Sequence, residues 1–110
     1  MILHITTRKD WEQARGQGEY TADSLKSEGF IHCSKPEQVI KVANARFHGR
    51  EDLLLLVIDS AKVGPEIKWE DMLGEGQFFP HIYGALNLDA VTQVVDFLPG
   101  ADGSFTLPRV

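Results

Sequence analysis

The pattern of apolar and polar residues predicts most of the strands in this chain. Residues 66–70 and 91–98 alternate between the two kinds, and residues 1–6 and 30–33 are short runs rich in strand formers. In a strand, side chains two positions apart share a face. Residues 53–58 differ because all six are apolar, which is typical of a central strand covered on both faces.

Two shorter strands are predicted near the C-terminus. Pro80 biases the preceding residue toward extended backbone, and residues 81–83 follow it as a short strand. Residues 104–107 are predicted as an edge strand, since they lie between a glycine-rich turn at 100–103 and Pro108.

The first main helix follows the first strand. Thr7 is the expected N-cap, and the helix would bury Trp11 and Ala14 and end near Gly16 or Gly18.

The second main helix has the strongest start signal in the sequence. Ser34 and Glu37 stand at capping-box spacing, with Pro36 in the first turn. An apolar stripe of helical period runs over residues 39–47, and Gly49 ends it. Two helices on a largely antiparallel sheet predict an α+β fold, with residues 1–110 forming a single domain.

Composition narrows the class of protein. Hydrophobic residues make up 43% and charged residues 25%, as in ordinary soluble domains. A net charge of −5 argues against binding nucleic acid by bulk phosphate neutralisation. A single cysteine suits a reducing cytoplasm and no apolar run is long enough to span a bilayer, so we expect a cytoplasmic protein without membrane contact. We also expect a monomer or a weak dimer.

Three of the four histidines stand two positions before a hydroxyl residue. These triplets are His4-Ile5-Thr6, His32-Cys33-Ser34 and His81-Ile82-Tyr83. Within a strand, each histidine shares a face with its hydroxyl, so Phe30, His32 and Ser34 should face away from Ile31 and Cys33. A neutral imidazole both donates and accepts hydrogen bonds, which suits ribose hydroxyls or phosphate oxygens. The alternative is that each histidine is a core or rim residue satisfied internally.

Glu70 is the candidate acid. It ends a predicted strand next to Trp69 and precedes a glycine-containing loop, a position typical of a cleft rim; the alternative is a solvated strand-end charge. His48 is interpreted as a charge complement at a helix end. No metal is expected, because the histidines lack close pair spacing and no paired cysteines support them.

Several blocks of the sequence resemble the bacterial family called domain of unknown function 952. They are Leu3–Thr6, Ser24–Ser34, Gln38, Trp69-Glu70 and Phe79–Gly84. The resemblance covers nearly the whole chain and implies a fold similar to that of ADP-ribosyltransferases, with a split, mostly antiparallel sheet around a nucleotide cleft.

The resemblance also implies roles for individual residues. His4 and Thr6 are similar to the first-strand His-x-Thr element that grips the ribose and carboxamide of NAD in those enzymes. Tyr83 or Tyr20 would stack on nicotinamide. The catalytic glutamate of those enzymes lies on a late strand, where this chain offers only Asp96, so Glu70 would have to serve from elsewhere.

Three functional hypotheses follow, and they leave open whether the protein is an enzyme. In the first, a cleft binds NAD or a related nucleotide. Its catalytic residues would be Glu70, His32 and His81, and its binding residues His4, Thr6, Ser34 and Tyr83. In the second, the chain is a two-histidine phosphoesterase that uses His4 and His32, although their separation of 28 positions is short for that family. In the third, it is a non-enzymatic interaction domain whose polar strand faces pack inside a dimer.

Overall fold

Strands and helices are interspersed along the chain. The computed structural model describes residues 1–110. The strands are β1 (Ile2–Thr7), β2 (Glu19–Tyr20), β3 (Ile31–His32), β4 (Leu53–Ile58), β5 (Ile67–Glu70), β6 (Phe79–Ile82), β7 (Leu86–Asn87) and β8 (Val91–Asp96). The α-helices are α1 (Arg8–Gln17), α2 (Asp23–Ser27) and α3 (Pro36–Arg46), and short 3₁₀ turns span Ser60–Lys62 and Leu88–Ala90.

All strand pairs are antiparallel, which confirms the predicted α+β class. One sheet has the order β1–β4–β8, a second has the order β3–β6–β5, and β2 pairs with β7. A single bridge joins the two larger sheets: Leu3 and Ser34 exchange two backbone hydrogen bonds of 2.8 Å. No other backbone hydrogen bond connects β1 to β3, so the sheet splits beside this pair.

Strand β4 is the centre of the core. Its even-numbered residues contact a cluster that includes Trp11 of α1 and Ile82 of β6. Its odd-numbered residues pack against Val39 and Ala43 of α3. All six residues are buried, which confirms the predicted central strand. Burying one such side chain contributes about 1.5–3 kcal/mol.

Helix α1 follows its sequence signals closely. The Thr7 hydroxyl accepts a hydrogen bond of 3.1 Å from the Asp10 N–H, as an N-cap should. Trp11 and Ala14 are buried, as predicted. The helix ends at Gly18, whose φ of 86° is a left-handed conformation that favours glycine.

The predicted start of α3 is wrong by one residue. The backbone of Ser34 pairs with Leu3, so Ser34 stays extended and Lys35 becomes the N-cap. The Gln38 side chain, rather than Glu37, then accepts from the Lys35 N–H at 3.0 Å.

The predicted edge strand at 104–107 is absent. The turn before it forms, with the Gly103 N–H donating to the Gly100 carbonyl at 3.0 Å. The chain then packs on α3: the Phe105 N–H donates to Asn44 Oδ1 at 2.7 Å, and the Phe105 ring stacks on Phe97. Strand β8 is therefore left at the edge of its sheet.

None of the three helices combines the length and the apolarity that crossing a membrane requires.

Candidate functional site

Strands β3 and β6 place two histidines directly opposite each other. The Cys33 N–H donates to the Pro80 carbonyl at 3.0 Å, and His32 pairs with His81 in the same register. Since hydrogen-bonded and non-hydrogen-bonded pairs alternate, His32 and His81 form a non-hydrogen-bonded pair, in which side chains approach most closely. Their ring centroids are 5.2 Å apart. Ile31 and Cys33 face the core, as the alternation predicted.

A cavity of about 410 Å³ opens where the sheet splits. Its walls come from β1, α2 and its C-cap, β3, the second half of α3, the loop 71–77 and β6. The histidine of each predicted triplet lines it, namely His4, His32 and His81, and so does the Ser34 hydroxyl residue. The volume lies in the range of small-molecule sites. The structure therefore brings three histidines that are distant in sequence to one cavity.

His81 is held from behind by a carboxylate. Its side chain is only 2% exposed, and its Nδ1 lies 2.9 Å from Glu70 Oε1. Because a carboxylate only accepts, Nδ1 carries the hydrogen and donates it. Nε2 has no hydrogen-bond partner in the protein. Every fully buried polar side-chain atom has such a partner, so Nε2 is accessible, and it borders the cavity that His81 lines. Phe30 stacks on the ring with centroids 4.2 Å apart.

Glu70 and Tyr83 lie behind His81 and do not line the cavity. The Tyr83 hydroxyl donates to Glu70 Oε1 at 2.6 Å. This bond, followed by the one from His81, lowers the pKa of Glu70, and the same carboxylate raises the pKa of Tyr83 to about 12. Trp69 points to the opposite face and is 48% exposed, so the aromatic wall expected beside Glu70 is not part of the cavity.

His32 is paired with a different acid. Its Nε2 lies 2.9 Å from Glu28 Oε2, at the C-terminal end of α2. This hydrogen bond lowers the pKa of Glu28. Both side chains are partly exposed, and His32 Nδ1 makes no hydrogen bond to the protein. His32 therefore offers one nitrogen to a ligand.

His4 differs because both of its nitrogens have protein partners. Nδ1 lies 2.5 Å from the His32 carbonyl oxygen and Nε2 lies 2.8 Å from the Tyr20 hydroxyl, which is itself 2.9 Å from Thr6 Oγ1. Burial lowers the pKa of His4 to about 4, so the ring is neutral at neutral pH and carries one N–H. The His32 carbonyl takes that hydrogen, so Nε2 accepts from Tyr20. The Tyr20 oxygen is then left to accept from Thr6.

Ser34 and Cys33 face opposite ways. The Ser34 hydroxyl makes no hydrogen bond to the protein and borders the cavity. The Cys33 side chain is buried, and burial raises the pKa of its thiol, so it stays protonated and unreactive.

Sequence reasoning missed two parts of the cavity wall. Arg46 lines the cavity and forms no ion pair. Its signal was its position four residues after Val42, which also lines the cavity, because residues at that spacing share a helix face. The other part is the loop 71–77, which contributes the exposed side chains of Met72 and Leu73.

The loop 71–77 is organised by its own first residue. The Asp71 carboxylate accepts from the backbone N–H groups of Glu75 and Gly76, at 3.1 and 2.7 Å. Gly74 and Gly76 adopt positive φ, which glycine permits.

A separate observation concerns metals: no three His, Cys, Asp or Glu side chains are grouped as a metal ion would need.

These features define a class of protein: an α+β domain whose antiparallel sheet splits beside a histidine-lined cavity. Within that class, the family model described as "Protein of unknown function (DUF952)" matches residues 5–94. The chain belongs to this family, which confirms the family resemblance seen in its motifs.

Solved structures of one relative, protein CC0527 from Caulobacter crescentus, match over most of their length. Its crystal structure is 36% identical in sequence and has a TM-score of 0.87, covering 96% of this chain and 93% of that chain. Its solution NMR structure, also 36% identical, has a TM-score of 0.84 and covers 96% of this chain and 91% of that chain. Both were structural genomics targets. The search of curated proteins gave no match.

Proposed function

We propose that the cavity binds NAD or a related nucleotide, and that the domain is ADP-ribosyltransferase-like. One observation carries the proposal: His32, Ser34 and His81 each present a polar atom without a protein partner to the same cavity of about 410 Å³. A nucleotide carries ribose hydroxyls and phosphate oxygens, which pair with such atoms.

Four other residues suit the other parts of a nucleotide, in a cavity wall that also carries three carboxylates. Arg46 supplies a cation without an ion-pair partner, and phosphate is its natural ligand. Met72, Leu73 and Phe79 supply apolar surface against which a flat base can pack. In a chain of net charge −5, a phosphate depends on such local positive groups.

The remaining predicted residues take indirect roles in this proposal. His4 would shape the wall, because its nitrogens are bonded to the His32 carbonyl and to Tyr20. Thr6 does not line the cavity and would support His4 through Tyr20. Tyr83 would support His81 through Glu70 instead of stacking on the ligand. His32 and His81 would be the groups that touch the nucleotide.

Calorimetric titration with NAD and ADP-ribose tests the proposal. We expect binding to the wild-type protein, with His32→Ala and Arg46→Ala each weakening it by about tenfold, as the loss of one strong polar contact predicts. His48→Ala is the matched control, since this exposed histidine lies against Gly103, outside the cavity. Absence of heat with both ligands at millimolar concentration would contradict nucleotide binding.

A second candidate is a phosphoesterase that uses two histidines. The pair suggested by the sequence, His4 and His32, is disfavoured because both His4 nitrogens are already bonded. The opposed pair of His32 and His81 is favoured instead, since each ring is bonded to its own carboxylate and keeps one nitrogen free. One imidazole would act as base and the other as acid.

Hydrolysis of a cyclic nucleotide phosphodiester tests this second candidate. Turnover should be lost in both His32→Ala and His81→Ala and kept in His48→Ala. Absence of turnover by the wild-type protein, or full activity of either of the first two variants, would count against the phosphoesterase.

A further inference from the structure

We infer that Glu70 is a positioning residue: it holds the Nδ1 hydrogen of His81, so that Nε2 is the atom that exchanges protons with a ligand in the cavity. This inference deepens the proposed function and rests on it, because the exchange requires a bound ligand with a hydroxyl group. It differs from the role that the family resemblance implies for Glu70, which is that of the catalytic glutamate itself.

The position of Glu70 argues against direct contact with a ligand in the cavity. Glu70 ends β5 opposite Phe79 of β6, and its side chain is 29% exposed on the far side of His81. The cavity is lined by His81 and Phe79 but not by Glu70. The route from the carboxylate to the cavity therefore passes through the imidazole.

The imidazole is fixed in one orientation by its neighbours. Phe30 stacks on one face of the His81 ring with an interplanar angle of 21°. His32 meets the ring edge-on, with an interplanar angle of 81°. A flip of the ring by half a turn would break the 2.9 Å hydrogen bond to Glu70, so Nδ1 stays toward the acid and Nε2 toward the cavity.

Tyr83 helps to keep the Glu70 carboxyl group ionised, so that it accepts hydrogen bonds. Its hydroxyl donates to the same oxygen that accepts from His81. Two donors on one oxygen favour the ionised carboxylate, in agreement with the lowered pKa of Glu70. An ionised Glu70 balances the positive charge that His81 gains when Nε2 takes a proton, as the acid does in a Ser-His-Asp triad.

The proton-transfer step balances without any further reactant. The O–H bond of a ligand hydroxyl breaks, its electron pair remains on the oxygen, and a new N–H bond forms at His81 Nε2. The ring becomes an imidazolium beside the Glu70 carboxylate, and the activated oxygen carries the negative charge.

Nitrogen-15 NMR of histidine-labelled protein tests the inference in the absence of any ligand. At a pH where the His81 ring is neutral, we expect the Nδ1–H tautomer, since the partner of one nitrogen sets the tautomer. Glu70→Ala removes the acceptor and should give a mixture of tautomers. Glu70→Gln keeps an acceptor oxygen and should retain Nδ1–H.

Glu66→Ala is the matched control, because this exposed glutamate precedes β5 and its side chain makes no hydrogen bond. It should leave the His81 signals unchanged. An Nε2–H tautomer in the wild-type protein, or a pure Nδ1–H tautomer in Glu70→Ala, would overturn the inference. Since the tautomer is measured without ligand, a failure of NAD to bind would refute the proposed function separately.

A second measurement tests the ligand-facing atom. In the presence of NAD or ADP-ribose, the Nε2 signal of wild-type His81 should shift, and the shift should be smaller in Glu70→Ala. A ligand that binds in calorimetry but leaves this signal in place would overturn the assignment of Nε2.

Discussion

The His4 and His81 triplets share a sequence pattern but differ in the partners of the second nitrogen. One His4 nitrogen is hydrogen-bonded to the His32 carbonyl and the other to the Tyr20 hydroxyl, so the ring joins the two parts of the split sheet. His81 gives one nitrogen to Glu70 and turns the other toward the cavity. Spacing along a strand determines which face a histidine occupies, but its partners determine whether it stabilises the fold or is free to act.

The largest expected effect comes from removing His4. His4→Ala deletes a buried ring and removes one of the two hydrogen-bond partners of the Tyr20 hydroxyl, which keeps only Thr6. We expect the free energy of unfolding to fall by about 3 kcal/mol, measured by urea denaturation. The control His48→Ala removes an exposed ring and should cost less than about 0.5 kcal/mol. Similar losses in the two variants would remove the structural role of His4.

The pH dependence of stability separates the two histidines further. The pKa of His4 is about 4 in the folded protein and 6.5 ordinarily, so between these values the unfolded state binds the proton first. Stability must therefore fall as the pH drops through this window, by roughly 2–3 kcal/mol in total. His4→Gln should lack this component of the pH profile. Parallel profiles for the variant and the wild-type protein from pH 7 to pH 4 would contradict the buried neutral state.

The two tyrosines extend the comparison at a smaller scale. Tyr20→Phe leaves the buried Nε2 of His4 without a donor and should cost about 1–3 kcal/mol in urea denaturation. Tyr83→Phe removes a donor from a partly exposed carboxylate and should cost less. A greater loss in Tyr83→Phe would contradict the structural role assigned to the His4–Tyr20 pair.

The smallest expected effect on stability comes from the loop over the cavity. Leu73 is 78% exposed, so Leu73→Ser should change the free energy of unfolding by less than about 0.5 kcal/mol. Its nucleotide affinity should nevertheless fall severalfold, measured by calorimetry, because the side chain lines the cavity. An unchanged affinity would remove this loop from the site.

Local signals predicted those parts of the fold that depend on local interactions. The cap at Thr7, the helix end near Gly16 or Gly18 and the doubly covered strand at 53–58 all follow from neighbouring residues. The capping role of Ser34 failed because Leu3, distant in sequence, holds its backbone extended. The strand at 104–107 failed because Phe105 packs on α3 instead of extending a sheet.

The candidate site, like the fold, was predictable only where local geometry determines it. Alternation along β3 indicated the shared face of His32 and Ser34, since that depends only on strand geometry. The pairing of Glu70 with His81 was not predictable, because it depends on the register of β5 against β6. The acid on His32 depends likewise on where α2 ends.

The lone Leu3–Ser34 bridge has a consequence for motion. The backbones of the two larger sheets are joined by one reciprocal pair of hydrogen bonds, and the His4 ring adds a side-chain hydrogen bond between them. One pair of hydrogen bonds costs less to break than a full ladder, and both residues of the pair line the cavity. A ligand that contacts both sheets would hold them together, and the amide protons of Leu3 and Ser34 would then exchange more slowly with solvent.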